Sequence, residues 1–259
     1  MLIKDISAMS LRELKQLAEG ASLQETEELA GMLGDDPREG VRKYASSLEK
    51  KLLSIRKETE RITSMRRMET ELIRSGLSPV AGVDEAGRGP LCGPVVSCTL
   101  ILPEDFDELW INDSKKLTEK KREELYKKIT QNAVACEVGV AGPDVIDEIN
   151  ILRATIRTVE ESLSAIKVKP AVVLLDALKV DTPIPQKSIV KGDAKVYSIA
   201  AASIVAKVSR DHMMYEYDSM YPEYHLASNK GYGTADHIEA LKKYGPSPIH
   251  RKSFIKNII

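Results

Sequence analysis

An apolar run, Val80-Ala81-Gly82-Val83, stops at two adjacent carboxylates, Asp84 and Glu85, and a second apolar run, Val95–Leu102, follows the short turn 86–94. Both runs are rich in β-branched and aliphatic residues and too short for amphipathic helices, so they read as strands. A parallel crossover needs about a dozen residues or more, and the turn is shorter than that. The two strands are therefore expected to be antiparallel neighbours. Downstream the pattern alternates. A helix is expected over Thr118–Gln131, a strand over Ala133–Val140, a helix over Asn150–Lys167 and a buried-type strand over Pro170–Asp176. A short strand at Ser188–Val190 precedes helices over Tyr197–Tyr217 and Thr234–Tyr244. Strands separated by helices pair in parallel, so the expected fold is α/β with a mixed sheet flanked by helices.

Residues 1–74 follow another pattern. Ser10-Leu-Arg-Glu13 and Ser22-Leu-Gln-Glu25 are capping boxes, each followed by apolar residues at helical spacing. Gly34-Asp-Asp-Pro37 is a turn, and a long charged helix is expected from Arg38 to Ile73. Its basic residues Arg56, Lys57, Arg61, Arg66 and Arg67 could meet nucleic acid, but interleaved glutamates favour a salt-bridged, solvated face. Ser75-Gly-Leu-Ser-Pro79 breaks the helix. The expected organisation is an all-helical N-terminal extension, 1–74, and an α/β domain, 75–259.

Three segments end in an acid: Val83-Asp84-Glu85, Leu174-Leu175-Asp176 and Lys191-Gly192-Asp193. Ligand-binding residues gather at strand ends in α/β sheets. Carboxylates crowded there repel one another unless a divalent cation lies among them, and an all-oxygen donor set favours Mg²⁺ or Mn²⁺ over zinc. Asp193 also fits an ordinary Gly-Asp turn. Competing motifs fail: Gly87-Arg-Gly-Pro-Leu-Cys92 is not a dinucleotide fingerprint, and no P-loop, His-Glu-x-x-His or nucleophile elbow occurs. The four histidines lack metal-ligand spacing and are expected at the surface or as supporting groups. Three cysteines without a C-x-x-C pattern suit reduced thiols, the N-terminus lacks an apolar leader, and no window reaches the roughly 18 to 20 apolar residues of a membrane span. A cytoplasmic monomer is expected.

Other residues could meet phosphate or bases. Arg88, flanked by Gly87 and Gly89, offers a phosphate contact beside the acids. Lys115 and Lys116 stand beside a helix start. Ser203, Lys207 and Arg210 share one helical face. Tyr232, between Gly231 and Gly233, could stack on a base or sugar. The net charge of −1 excludes binding by bulk charge but not by a local basic face.

The motif Asp84-Glu85-Ala-Gly87-Arg88-Gly89-Pro90-Leu-x-Gly-Pro closely resembles the signature of the bacterial type 2 ribonuclease H family, ribonuclease HII. The resemblance continues through Asp113-Ser-Lys-Lys-Leu117, the aspartate of Val-Leu-Leu-Asp176, Lys191-Gly-Asp193, Ala-Ala-Ser203-Ile-x-Ala-Lys207-Val-x-Arg210-Asp211 and Gly231-Tyr232-Gly-Thr234. It spans roughly 75–259 in the family's order, and the Gly-Arg-Gly form separates it from ribonuclease HIII. The resemblance implies that Asp84, Glu85, Asp176 and Asp193 are the four metal-binding, catalytic acids. It implies that Gly87-Arg88-Gly89 reads the ribose 2′-OH through backbone groups and that Tyr232 packs on the sugar at an RNA–DNA junction. Lys115, Ser203 and Lys207 would then contact the nucleic-acid backbone.

The implied fold is a ribonuclease H-like sheet. The implied activity is endonucleolytic cleavage of RNA in RNA–DNA hybrids, and on the 5′ side of ribonucleotides embedded in duplex DNA. Two divalent ions about 4 Å apart would serve it, leaving 5′-phosphate and 3′-hydroxyl ends. Two alternatives stay open: a related two-metal DNA nuclease or transposase, which shares the acids but needs no 2′-OH reader, and a non-catalytic hybrid-binding protein.

Overall fold

The structure is a computed structural model that describes residues 6–259, so the first five residues, which enter the expectation that no apolar leader is present, lie outside it. Two compact units divide between Thr63 and Ser64.

The first unit holds α1 (Leu11–Glu19), α2 (Leu23–Gly34) and the first part of α3 (Glu39–Arg74). Both capping boxes form: Ser10 and Ser22 donate their N–H to Glu13 and Glu25 at 2.8 Å, and each serine oxygen accepts from the glutamate's N–H. Leu14, Leu29, Ala30, Leu33, Val41, Ala45, Leu48 and Leu52 form its core. Two basic residues of α3 pair within the helix, as their spacing predicts, Arg61 with Glu58 and Arg67 with Glu71, whereas Arg56 pairs with Glu27 of α2 and Arg66 donates to the carbonyls of Glu104 and Phe106.

The second unit is built on a five-stranded sheet of β1 (Val80–Ala86), β2 (Val95–Ile101), β3 (Ala135–Ala141), β4 (Val172–Asp176) and β5 (Gln186–Ile189). The order is β3-β2-β1-β4-β5. β2 is antiparallel to both β1 and β3, while β1, β4 and β5 run parallel. The mixed sheet is thus the one the short turn 86–94 demands. The helices are α4 (Glu119–Asn132), α5 (Pro143–Ile149), α6 (Ile151–Ala165), α7 (Tyr197–Met220), α8 (Leu226–Asn229), α9 (Ala235–Tyr244) and α10 (Lys252–Ile255). Of these, α5, α8 and α10 are not foreseen from the sequence, because one or two turns are too short to display a 3.6-residue period.

Alternation along the strands assigns the two faces. Val83, Val173 and Leu175 pack with Val159 and Leu163 of α6. Val80, Val172 and Leu174 pack on the other face with Val196 and Ile199 at the start of α7. A Cβ at Gly82 would lie 2.3 Å from the Ser198 carbonyl carbon, so only glycine lets α7 sit this close to β1. Asp84 and Asp176 share the parity of Gly82 and Leu174, and both therefore face α7.

The end of α3 belongs to this unit. Glu69 is buried and accepts the Ser198 N–H at 2.7 Å, serving an α7 N-terminus whose own cap residue, Val196, makes no side-chain bond. Leu72, Met68 and Ile73 join the core beneath β1 and β4. Truncation at residue 74 should therefore unfold more than the extension. A chain starting at Ser64 should melt near the full-length second unit, whereas one starting at Ser75 should lose on the order of 3–6 kcal/mol from the missing apolar burial. Denaturant titration of the two truncations separates them, and equal stabilities would exclude this packing role.

Candidate active site

Asp84 lies two residues before the end of the central strand β1 and is 6 % exposed. The parallel register pairs Val83 with Leu175, so the next residues along the two strands are Asp84 and Asp176. Burial pushes the Asp84 carboxyl well above its usual range; Glu85 adds to this and the hydroxyl of Ser203, lying against it, opposes it. Glu85 is raised as well, by burial, although Arg88 at 3.1 Å partly offsets that. Asp176 Oδ1 accepts the Gly192 N–H at 2.8 Å and so clips the single turn Gly192–Ala194 to the end of β4. This turn presents Asp193, raised by burial and by the charges of Asp113 and Asp176.

The four sequence-predicted acids therefore come together at one sheet edge. All of their donor atoms are carboxylate oxygens, and few cations oppose them: Arg88 at Glu85, and Lys115, whose charge reaches both Glu85 and Asp193. Such a hard, under-compensated oxygen set suits a divalent cation of the Mg²⁺ or Mn²⁺ type. Asp113 is a fifth carboxylate at this edge and was not singled out from the sequence. Its visible signal is local, an aspartate that accepts the Lys115 N–H at 3.0 Å and caps the short turn Ser114–Lys116. Only the fold carries it beside Asp193.

The turn between β1 and β2 stands next to the acids. Arg88 and Gly89 are exposed, whereas Gly87 and Pro90 are buried. The Arg88 side chain lies against Glu85 instead of projecting alone into solvent. Gly87 has φ of +93°, and a Cβ there would lie 2.3 Å from Arg210 Nε. Tyr232 is 44 % exposed, and a Cβ on Gly89 would lie 3.6 Å from its ring, so turn and tyrosine form one surface.

The basic face expected on α7 divides in two. Ser203 is buried against Asp84 and within 3.0 Å of Ser114 Oγ. Lys207 is mostly buried and paired with Asp211 at 2.6 Å, and burial pulls its ammonium below the usual range. Arg210 departs from expectation. It is 1 % exposed and donates inward, to the carbonyls of Pro94, Lys230 and Cys92 at 2.9–3.1 Å.

Of the four histidines, His237 and His250 are buried. With Cys92 their ligand atoms lie within 4.8 Å of one another. Hydrogen bonding argues against a metal there. Ser247 N–H donates to His250 Nδ1 at 3.0 Å, so neutral His250 carries its proton on Nε2 and donates it to His237 Nε2, also at 3.0 Å. His237 Nδ1–H in turn donates to the Tyr232 carbonyl at 2.9 Å. The facing nitrogens are thereby used, and burial, together with the neighbouring His237, holds His250 at a pKa of about 4, which keeps it neutral. The sequence gives no sign of this pairing, because the two residues come from α9 and from the segment before α10.

Residues 81–257 match the family model for ribonuclease HII, and residues 10–73 match a separate model, the ribonuclease HII N-terminal domain. A ribonuclease HII of Ligilactobacillus salivarius is 47 % identical over 100 % of this chain and 95 % of its own length. One from Clostridioides difficile is 46 % identical over 96 % and 98 %. The crystal structure of ribonuclease H2 from Pyrococcus horikoshii superposes with a TM-score of 0.60 at 30 % identity, covering 69 % of this chain and 96 % of that one. With acids gathered on the β1 and β4 ends and near full-length similarity to these enzymes, the chain belongs to the ribonuclease HII family of metal-dependent endonucleases.

Proposed function

We propose that this chain cleaves the RNA strand of RNA–DNA hybrids, and the 5′ side of single ribonucleotides embedded in duplex DNA, by phosphodiester hydrolysis that leaves 5′-phosphate and 3′-hydroxyl ends. The observation that carries this reading is the juxtaposition of two devices in one turn: the acids Asp84 and Glu85, and directly after them the exposed Arg88–Gly89 backbone beneath Tyr232. Asp84, Glu85, Asp176 and Asp193 would hold two divalent ions, Mg²⁺ or Mn²⁺. Such ions, when bound, lower the pKa of water and stabilise charge on the attacking and leaving oxygens.

The chain's own residues do the rest. The carboxylates fix where that charge can be compensated. Gly87-Arg88-Gly89 meets the 2′-OH, the group by which a protein tells RNA from DNA at a given site. Tyr232 packs on the adjoining sugar. Lys115, exposed at the acid edge, contacts the nucleic-acid backbone, and Ser203 and Lys207 support the same surface from α7. Among the described residues no helix is long and apolar enough to cross a membrane. We further propose that the chain acts as a cytoplasmic monomer in which 75–259, folded with the end of α3 in its core, carries the chemistry and the helices that precede it strengthen substrate binding.

The test is cleavage of a duplex carrying one ribonucleotide beside its all-DNA counterpart. Rapid cleavage at the ribonucleotide, with the all-DNA duplex intact, is expected. Equal cutting of both would favour a DNA nuclease lacking a 2′-OH reader, and tight binding without cleavage in Mg²⁺ and Mn²⁺ would favour a binding protein.

A further inference from the structure

We propose that Arg251, near the C-terminus, is the positioning residue of the 2′-OH reader. Its buried guanidinium draws the carbonyls of the Gly87–Pro94 turn inward and thereby turns the Arg88 and Gly89 N–H groups out. Arg251 is 0 % exposed, and among the described residues no carboxylate hydrogen bonds to its guanidinium. Instead its Nε–H donates to Gly93 O (3.0 Å), one terminal nitrogen to Arg88 O (3.1 Å) and Pro90 O (2.8 Å), and the other to Gly87 O (2.6 Å) and Gly93 O (2.8 Å). All five donors of the fork are thus spent on carbonyls of one turn. Arg210 takes Cys92 O and Pro94 O from the same turn. Two buried cations held this close, with Asp147 and Asp211 acting on them only through space, are costly, and burial, with Arg210 next to it, lowers Arg251 to about 10. An arrangement whose only visible product is a turn of fixed peptide orientation points to that orientation as its role.

Peptide planarity supplies the link to function. In a trans peptide the C=O of one residue and the N–H of the next point in opposite directions. Carbonyls of Gly87 and Arg88 aimed at Arg251 therefore aim the N–H groups of Arg88 and Gly89 away from it, at the exposed side of the turn. Neither N–H meets an acceptor among the described residues, while those of Leu91 and Gly93 donate to Gly231 O and Ile249 O. Two outward amides beside Tyr232 suit a hydroxyl oxygen.

Arg251 also stands next to His250, whose relay through His237 holds the Tyr232 carbonyl. The Arg251 N–H itself donates to Leu91 O at 2.9 Å. One C-terminal segment thus fixes both the turn and the tyrosine. Lysine, a point charge with three donors, cannot reproduce a fork that engages four carbonyls.

This inference rests on the reading that the turn recognises the 2′-OH, and the test keeps the two apart. In full-length wild-type enzyme, amide hydrogen exchange should be at least about 100-fold faster at Arg88 and Gly89 than at Leu91 and Gly93. Equal protection would overturn the proposal whatever the variant does. Arg251→Lys should lower kcat/KM on the single-ribonucleotide duplex by about 100-fold, with the Kd for the matched all-DNA duplex within about twofold. A kcat/KM within about threefold of wild type would overturn it, as would a parallel loss of all-DNA binding, which would mean general damage. If Arg251→Lys does not fold, the wild-type exchange pattern decides alone. A wild type that ignores the ribonucleotide would sink the functional reading and leave the exchange result standing.

Discussion

Asp84→Asn should lower the single-turnover rate on a duplex with one ribonucleotide by on the order of 10³-fold, comparable to losing one preorganised charge-stabilising group in other enzymes. Asparagine keeps the shape of the side chain and removes one of the charges gathered at the β1 and β4 ends. The same substitution should stabilise the cation-free protein by about 0.5–2 kcal/mol, because a buried carboxylate beside Glu85 and Asp176 is a site where function opposes stability. Added Mn²⁺ should raise the wild-type Tm, since a ligand at 100 times its Kd contributes about 2.7 kcal/mol, and raise that of the variant much less. Thermal melts with and without Mn²⁺, beside single-turnover assays, check both halves. Cleavage within about tenfold of wild type, or a Tm that falls, would remove Asp84 from the role given to it.

Gly87→Ala carries the second large effect. At φ of +93° a Cβ would meet Arg210 Nε at 2.3 Å and Pro94 O at 2.6 Å. Arg210 cannot swing aside, since three carbonyls hold it in the interior. The left-handed backbone costs an alanine about 1–2 kcal/mol, and overpacking adds about 1–3 kcal/mol. The turn that moves in response carries the exposed amides, so kcat/KM on an embedded ribonucleotide should fall by about 100-fold as well. Gly89→Ala is the control. Its Cβ would make ordinary 3.6 Å contact with Tyr232, so its stability should stay within about 0.5 kcal/mol of wild type, and any loss of 2′-OH discrimination would report on the turn's surface alone. Denaturant titration and paired kinetics on ribonucleotide-containing and all-DNA duplexes separate the two glycines. Equal stability losses would mean that the clash at Gly87 is relieved elsewhere.

Local chemistry explains which features were legible in the chain. The capping boxes at Ser10 and Ser22 form because donor and acceptor lie three residues apart. The antiparallel pairing of β1 with β2 follows from a turn too short for a crossover. Arg210 misled for the converse reason. Helical spacing places it with Ser203 and Lys207, but spacing does not tell which side of α7 meets the sheet and the turn behind it. Asp113 caps the short turn Ser114–Lys116, and its approach to Asp193 joins segments from distant parts of the chain.

The sequence by itself determined the mixed sheet, the helical extension and the placing of Asp84 and Asp176 at strand ends. Each rests on short-range sterics, periodicity or charge repulsion that any fold of this chain must satisfy. Tertiary structure alone decided which charges were turned inward. Arg210 shares a helical face with Ser203 and Lys207 in the sequence and Arg251 stands in a short basic stretch without an assigned role, yet both are buried beneath the turn that follows Asp84 and Glu85. The reason is physical: a guanidinium leaves water only where several acceptors converge on it. Here those acceptors are backbone carbonyls of a turn more than a hundred residues away in sequence, which no pattern of side chains announces.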